Sequence, residues 1–116
     1  MQRDPRAFLW DVREAALAIQ AFTAGMDVAA FAASEMARSA VERKFEIIGE
    51  ALNQLAKLDI ALAARIPDLP KIVAFRNQLI HGYATVNVST VWNVTQNALQ
   101  PLLSAVQTLM NELGDT

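Results

Sequence analysis

The stretch Asp68-Leu69-Pro70-Lys71-Ile72-Val73-Ala74-Phe75-Arg76-Asn77-Gln78-Leu79-Ile80-His81-Gly82-Tyr83 decides how this chain is read. Pro70 suits a first helical turn, where its missing N–H costs nothing, and Gly82 suits a helix end. Asp68 before it is a residue type that caps helices, so the spacing predicts a capped helix from Asp68 to about Gly82. At about 100° per residue, Ile72, Phe75, Leu79 and Val86 share a narrow arc, an ordinary core face. Lys71, Ala74 and Gln78 lie roughly opposite and suit solvent. Between them sits a third sector of Val73, Arg76, Asn77, Ile80 and His81, with Tyr83 beside Arg76 one heptad on. An apolar pair flanked by Arg, Asn and His fits neither core nor solvent well. It suits a subunit interface, where arginine and aromatic side chains are enriched.

The rest of the chain reads as helix on either side. Asp4 caps a first helix with Pro5 in its first turn, and Phe8, Val12, Ala15, Ile19 and Phe22 recur at core spacing up to Gly25. Asp27 caps a short turn through Phe31. Ser34 caps a long helix with a stripe of Val41, Phe45, Ile48, Leu52 and Leu55. Gly49 inside it costs up to about 1 kcal/mol against alanine, which predicts the close approach of another helix. A short helix from Asp59 to Ile66 ends at Pro67. Ser89 caps the last helix, whose seam is Trp92, Thr95, Leu99, Leu102, Val106, Leu109 and Leu113. Pro101 inside it predicts a kink. The expectation is an all-α fold, an antiparallel bundle of four main helices plus one or two short ones, forming a single domain over residues 1–116.

Composition narrows the function. With 116 residues and 53% hydrophobic content, the chain is neither disordered nor tail-like. It has no cysteine, which removes disulfides, thiolate metal sites and a cysteine nucleophile. No apolar run reaches the roughly 18 residues of a membrane span, and no signal core follows the N-terminus, so a cytoplasmic location without membrane contact is expected. Zinc spacings, Gly-rich phosphate loops and the Glu-x-x-His pairs of di-iron bundles are absent; no metal or cofactor is expected. The net charge of −2 is unlike a general nucleic-acid binder. An RNA substrate would need local positive charge, or a second subunit to help build the site.

Arg76-Asn77-Gln78-Leu79-Ile80-His81-Gly82-Tyr83 resembles the Arg–polar–x3–His motif of HEPN domains, and its extension to Tyr83 resembles the Arg-x4-His-x-Tyr signature of HepT-like toxins. Ala40-Val41-Glu42-Arg43 and Glu46-Ile47-Ile48-Gly49-Glu50-Ala51 resemble the long second helix of that family. Ile66-Pro67, Val91-Trp92 and Leu99-Gln100-Pro101-Leu102 match in order and spacing. The resemblance implies a HEPN-like bundle and a metal-independent endoribonuclease in which a ribose 2′-hydroxyl attacks the adjacent phosphate. Arg76, Asn77 and His81 would be its catalytic residues. It further implies a type VII-like toxin–antitoxin pair whose antitoxin is a minimal nucleotidyltransferase, with Tyr83 open to adenylylation. A non-catalytic HEPN module that binds such a partner, or a nucleotide, is the alternative.

Histidine, with an ordinary pKa of about 6.5, suits proton transfer at neutral pH, and arginine suits charge developing on phosphate oxygens. His81 is the one histidine of the chain. If acid and base are both histidines, the second comes from another subunit, so a homodimer with a composite site is expected. Asn77 would orient His81 or the phosphate. Tyr83 also has a purely structural reading, as an amphipathic side chain at an interface rim. Glu42, Glu46 and Glu50, four apart, read chiefly as a solvated stripe among Arg38, Arg43 and Lys44; a second reading has Glu46 or Glu50 hold Arg76.

Overall fold

The computed structural model describes residues 3–82 and 86–114. Among them run seven helices and no strand: α1 (Pro5–Thr23), α2 (Val28–Ala33), α3 (Glu35–Leu58), α4 (Ile60–Ala63), α5 (Leu69–His81), α6 (Val88–Asn97) and α7 (Leu99–Glu112). The long helix α3 is the spine. It packs along α1 on one side and α5 on another, while α7 lies against α1 and α6 covers α2. This is an all-α, HEPN-like bundle, with α2 and α4 as its short pieces.

Short polar residues start most of these helices by accepting a hydrogen bond from the otherwise orphaned first-turn N–H groups. Asp4 Oδ1 accepts from Arg6 N at 2.8 Å, Asp27 Oδ1 from Ala30 N at 2.8 Å, Ser34 Oγ from Ala37 N at 3.1 Å and Asp59 Oδ1 from Leu62 N at 3.0 Å. Gly25, with φ of 78°, takes the left-handed conformation that ends the α1 region. The core is one cluster to which every helix contributes. Phe31, Phe45, Ile48, Leu52, Leu102 and Met110 are among its fully buried side chains.

Several expectations change. Phe22 is 40% exposed, because the α1 stripe closes at Ile19 and the buried Thr23. Asp68 does not cap α5 with its side chain: its backbone is left-handed, with φ of 59°, and its carboxylate lies 3.9 Å from Lys71 Nζ. Ser89 is not the cap of the helix after the motif. Asn87 is, accepting from Thr90 N at 2.8 Å and Thr90 Oγ1 at 2.9 Å. Finally, the last helix is two. Pro101 lacks the N–H that would bond the Asn97 carbonyl, and its ring would strike that carbonyl. The chain therefore resets at Ala98, which places Pro101 in the first turn of α7. The seam survives the break, with Val91, Thr95, Leu99, Leu102, Val106 and Leu109 buried, but Leu113 at its end is 40% exposed. Trp92 is only partly buried and stacks obliquely on Phe31, ring centroids 5.3 Å apart.

No helix among the described residues is long and apolar enough to cross a membrane.

The α1 cap carries a pH signature. Hydrogen bonds from the Arg6 side chain and backbone hold the Asp4 carboxyl down at about 2, against an ordinary 3.8. A depressed folded pKa means that the cap stabilises the helix above pH 3.8 and that this contribution fades as pH falls towards 2. Carboxyl-detected NMR titration should give Asp4 a midpoint near 2. A midpoint at the ordinary value would show that the cap is open in solution.

Candidate functional site

The motif helix α5 is pinned to α3 by its core face. Ile72, Phe75 and Leu79 are buried, and the Phe75 ring meets Phe45 edge to face at 5.2 Å between centroids. That docking turns the mixed sector toward the open side of the helix. Val73 is half-buried, Ile80 is 40% exposed, and Asn77 and His81 are exposed. Lys71, Ala74 and Gln78 face solvent, as the spacing predicts.

Arg76 sits at the edge between core and open face, its side chain 18% exposed. The cause is on α3. Gly49 is buried in the helix interface, and a Cβ there would overlap the Cβ and Cγ of Arg76. The missing side chain is the groove in which the arginine stem lies, which is the close approach that Gly49 predicts. The next residue, Glu50, takes the other end of the same side chain: its Oε2 accepts from Arg76 Nη2 in an ion pair. Arg76 Nη1 donates to Asn77 Oδ1 at 2.6 Å, and the Arg76 Nε–H is buried without a hydrogen-bond partner. Since Oδ1 of Asn77 is used by Arg76, the amide nitrogen is left as the group that Asn77 offers outward.

His81 is the last residue of α5, one turn beyond Asn77, and among the described residues its imidazole has no hydrogen-bond partner. The helix closes behind it where Gly82 N bonds the Gln78 carbonyl at 2.8 Å. So Arg76, Asn77 and His81 are brought to one helix end, and two of them are joined by a hydrogen bond. Tyr83 lies outside the described residues.

The three glutamates spaced four apart on α3 are not equivalent. Glu42 is half-buried, and that burial, opposed by Arg38 and reinforced by Glu46, holds its carboxyl above the ordinary range. Glu46 pairs with Arg43 at 3.4 Å. Glu50 alone of the three holds Arg76, and its other oxygen accepts from Gln54 Nε2 at 2.9 Å. Gln54 escaped the sequence reading. Its only signal there is a position four residues after Glu50 on the same helix face. A cleft of about 340 Å³ between α1 and α3 opens beside this pair, with Phe8, Ile47 and Ala51 on its apolar part and Arg3, Arg43 and Asp11 at its rim. Among the described residues no group of three or more His, Cys, Asp and Glu side chains is arranged to hold a metal ion.

Comparison with known proteins bears on this arrangement. A family model described as Ribonuclease HepT-like matches residues 12–109. A Methanocaldococcus jannaschii protein named "Putative RNase MJ1380" is 32% identical over 108 residues, covering 91% of this chain and 96% of its own. A second protein from that organism, "Putative RNase MJ0125", is 29% identical over 116 residues, covering 98% and 97%. "Probable ribonuclease HepT" of Thermococcus cleftensis is 30% identical over 102 residues, covering 88% and 92%. No solved structure matches the chain.

Gly49→Ala tests the packing at the base of the site. In an unhindered helix the change would gain up to about 1 kcal/mol. Here the new methyl meets the root of the Arg76 side chain, which cannot swing away, so α3 and α5 must part. Overpacking of this kind costs roughly 1–3 kcal/mol. Denaturant unfolding should show a net loss of stability; a variant as stable as wild type or more so would mean that the two helices are not in close contact.

Proposed function

Because the chain belongs to the Ribonuclease HepT-like family, we propose that it is a metal-independent endoribonuclease whose working residues are Arg76, Asn77 and His81. The observation that carries this reading is the placement of those three side chains at one end of α5, with Arg76 anchored from α3 and His81 open to solvent. The names of the relatives, which describe ribonucleases, support the same substrate class.

The chemistry is transfer of a phosphoryl group within the RNA strand. The ribose 2′-oxygen forms a bond to the adjacent phosphorus while the bond from phosphorus to the 5′-oxygen of the next nucleotide breaks. A base takes the proton of the 2′-hydroxyl, and an acid gives one to the departing 5′-oxygen. Arg76 stabilises the negative charge that builds on the non-bridging oxygens, and the Asn77 amide nitrogen donates to the same phosphate. His81 supplies proton transfer. One histidine per chain serves one of the two proton steps, so the site is completed by His81 of a second copy across a two-fold axis beside α5. The exposed Ile80 and half-buried Val73 flanking the motif support that interface. Pairing two copies also brings two Arg76 side chains to one site, concentrating positive charge there although each chain keeps its net charge of −2.

In this reading the protein is the toxin of a type VII-like pair. Its partner is a minimal nucleotidyltransferase that silences it by adenylylating Tyr83, one heptad from Arg76 in sequence. A nucleotide there would bring phosphate charge and bulk to the substrate path. One observation favours a second reading, a non-catalytic module that binds the same partner: a carboxylate already occupies Arg76.

Cleavage of RNA in EDTA separates the two. Wild type should cleave with chelator present, and Arg76→Ala and His81→Ala should each abolish cleavage while retaining helical circular dichroism, since neither side chain belongs to the core cluster. Unfolding of both variants, or activity that returns only with added Mg²⁺ or Mn²⁺, contradicts the proposal. Tyr83→Phe should keep most of the activity and gain no nucleotide mass when incubated with partner and ATP. Nucleotide added to the Phe variant would exclude Tyr83 as the acceptor.

A further inference from the structure

The guanidinium of Arg76 has five N–H donors, and their disposition is unusual. Nη2 gives one to Glu50, Nη1 gives one to Asn77, and the Nε–H is buried with no partner. One N–H remains on each terminal nitrogen to be offered to a phosphate. The group on α3 that holds the guanidinium is Glu50. Its own orientation is fixed from one turn away, where Gln54 Nε2 holds the second carboxylate oxygen at 2.9 Å. Gly49 supplies the groove for the arginine stem. Gln54, Glu50, Arg76 and Asn77 thus form one hydrogen-bonded relay that begins on α3 and ends beside His81.

We propose that Glu50 is the positioning residue of the site: it touches no substrate, but fixes the Arg76 guanidinium so that its two remaining N–H groups meet the phosphate, and through Arg76 it turns the Asn77 amide nitrogen outward. This rests on Arg76 as the phosphate-binding group of the reading above. Two opposed effects follow. The carboxylate weakens ground-state binding, because it partly neutralises Arg76 and repels the RNA phosphate. It also removes the freedom of a long side chain before the substrate arrives, which favours the transition state, where alignment matters most. Losing Glu50 should therefore lower kcat without raising KM. A residue that only stabilised the fold would change neither value per folded molecule.

The test compares wild type with Glu50→Gln, Glu50→Ala and Gln54→Ala. In EDTA, on a short RNA, kcat of Glu50→Ala should fall about 10- to 100-fold, the loss expected when a reacting group is left roughly 1 Å out of place. KM should be unchanged or lower. Glu50→Gln, which keeps an acceptor oxygen, and Gln54→Ala, which only loosens the carboxylate, should fall less. Unchanged or raised kcat, or a raised KM with kcat intact, overturns the proposal; a raised kcat would make Glu50 a restraint rather than a guide. Proton–nitrogen NMR of the arginine side chains gives a readout that needs no cleavage. The Arg76 Nε–H should be a sharp, slowly exchanging signal in wild type and broaden in both Glu50 variants. Equal signals in all proteins overturn the positioning role, even if the enzyme is active. Absence of cleavage by wild type would instead refute the ribonuclease reading, while the Arg76 signal still decides whether Glu50 fixes the guanidinium. If Glu50→Ala loses its helical circular dichroism, Glu50→Gln and Gln54→Ala carry the same comparison.

Discussion

The site depends on a missing side chain. Gly49 lets α3 and α5 approach until the backbone of one touches the arginine stem of the other. A glycine inside a long helix is a local cost, and here it is repaid by packing that no other residue would permit. The neighbouring Phe45–Phe75 contact and the buried Ile72, Phe75 and Leu79 set the height and rotation of α5 on the spine. Once those are fixed, Glu50 reaches the guanidinium and Asn77 and His81 point away from the core. Core packing and site geometry are consequences of the same helix–helix contact.

The ion pair between Glu50 and Arg76 contributes little as a stability device. Glu50 is half-exposed, and exposed pairs are worth roughly 0–1 kcal/mol. Its value lies in orientation. A guanidinium on a long stem has many rotamers, and a fixed partner removes most of them at the helix edge, where the stem is already confined by the Gly49 groove. The Arg65–Glu112 pair, bidentate at 2.7 Å, shows the contrasting use: it ties the segment after α4 to the end of α7 at a solvent-exposed site.

Much of this was legible from residue types and spacing. The stripe Val12, Ala15, Ile19, the stripe Val41 to Leu55 and the face Ile72, Phe75, Leu79 all follow helical period and are all buried. Asp4, Asp27 and Ser34 were legible as caps because capping is a local interaction. What failed was decided by the surroundings. Phe22 continues the α1 period, but among the described residues it is left 40% exposed. Asp68 is the right residue type before a helix, yet the turn after Pro67 throws its backbone into the left-handed region and its side chain away from the first-turn N–H groups. Asn87 and Ser89 are both acceptable caps, and only the path of the chain chooses between them. In the site, Arg76, Asn77 and His81 could be named from the motif and Gly49 from its cost. The choice of Glu50 over Glu46 could not, because it depends on which turn of α3 lies beside Arg76.

The single histidine gives the proposed mechanism its sharpest constraint. In that proposal, two proton transfers and one His81 per chain lead to a site shared between two copies, each contributing Arg76, Asn77 and His81 from its α5. Mixed dimers test this directly. Wild type and His81→Ala chains are unfolded together, refolded at varied ratios and assayed at constant total protein. If both histidines are required, activity follows the square of the wild-type fraction, so an equal mixture retains about a quarter under random pairing. A strictly linear dependence would mean that one subunit's motif suffices, and would contradict the shared site.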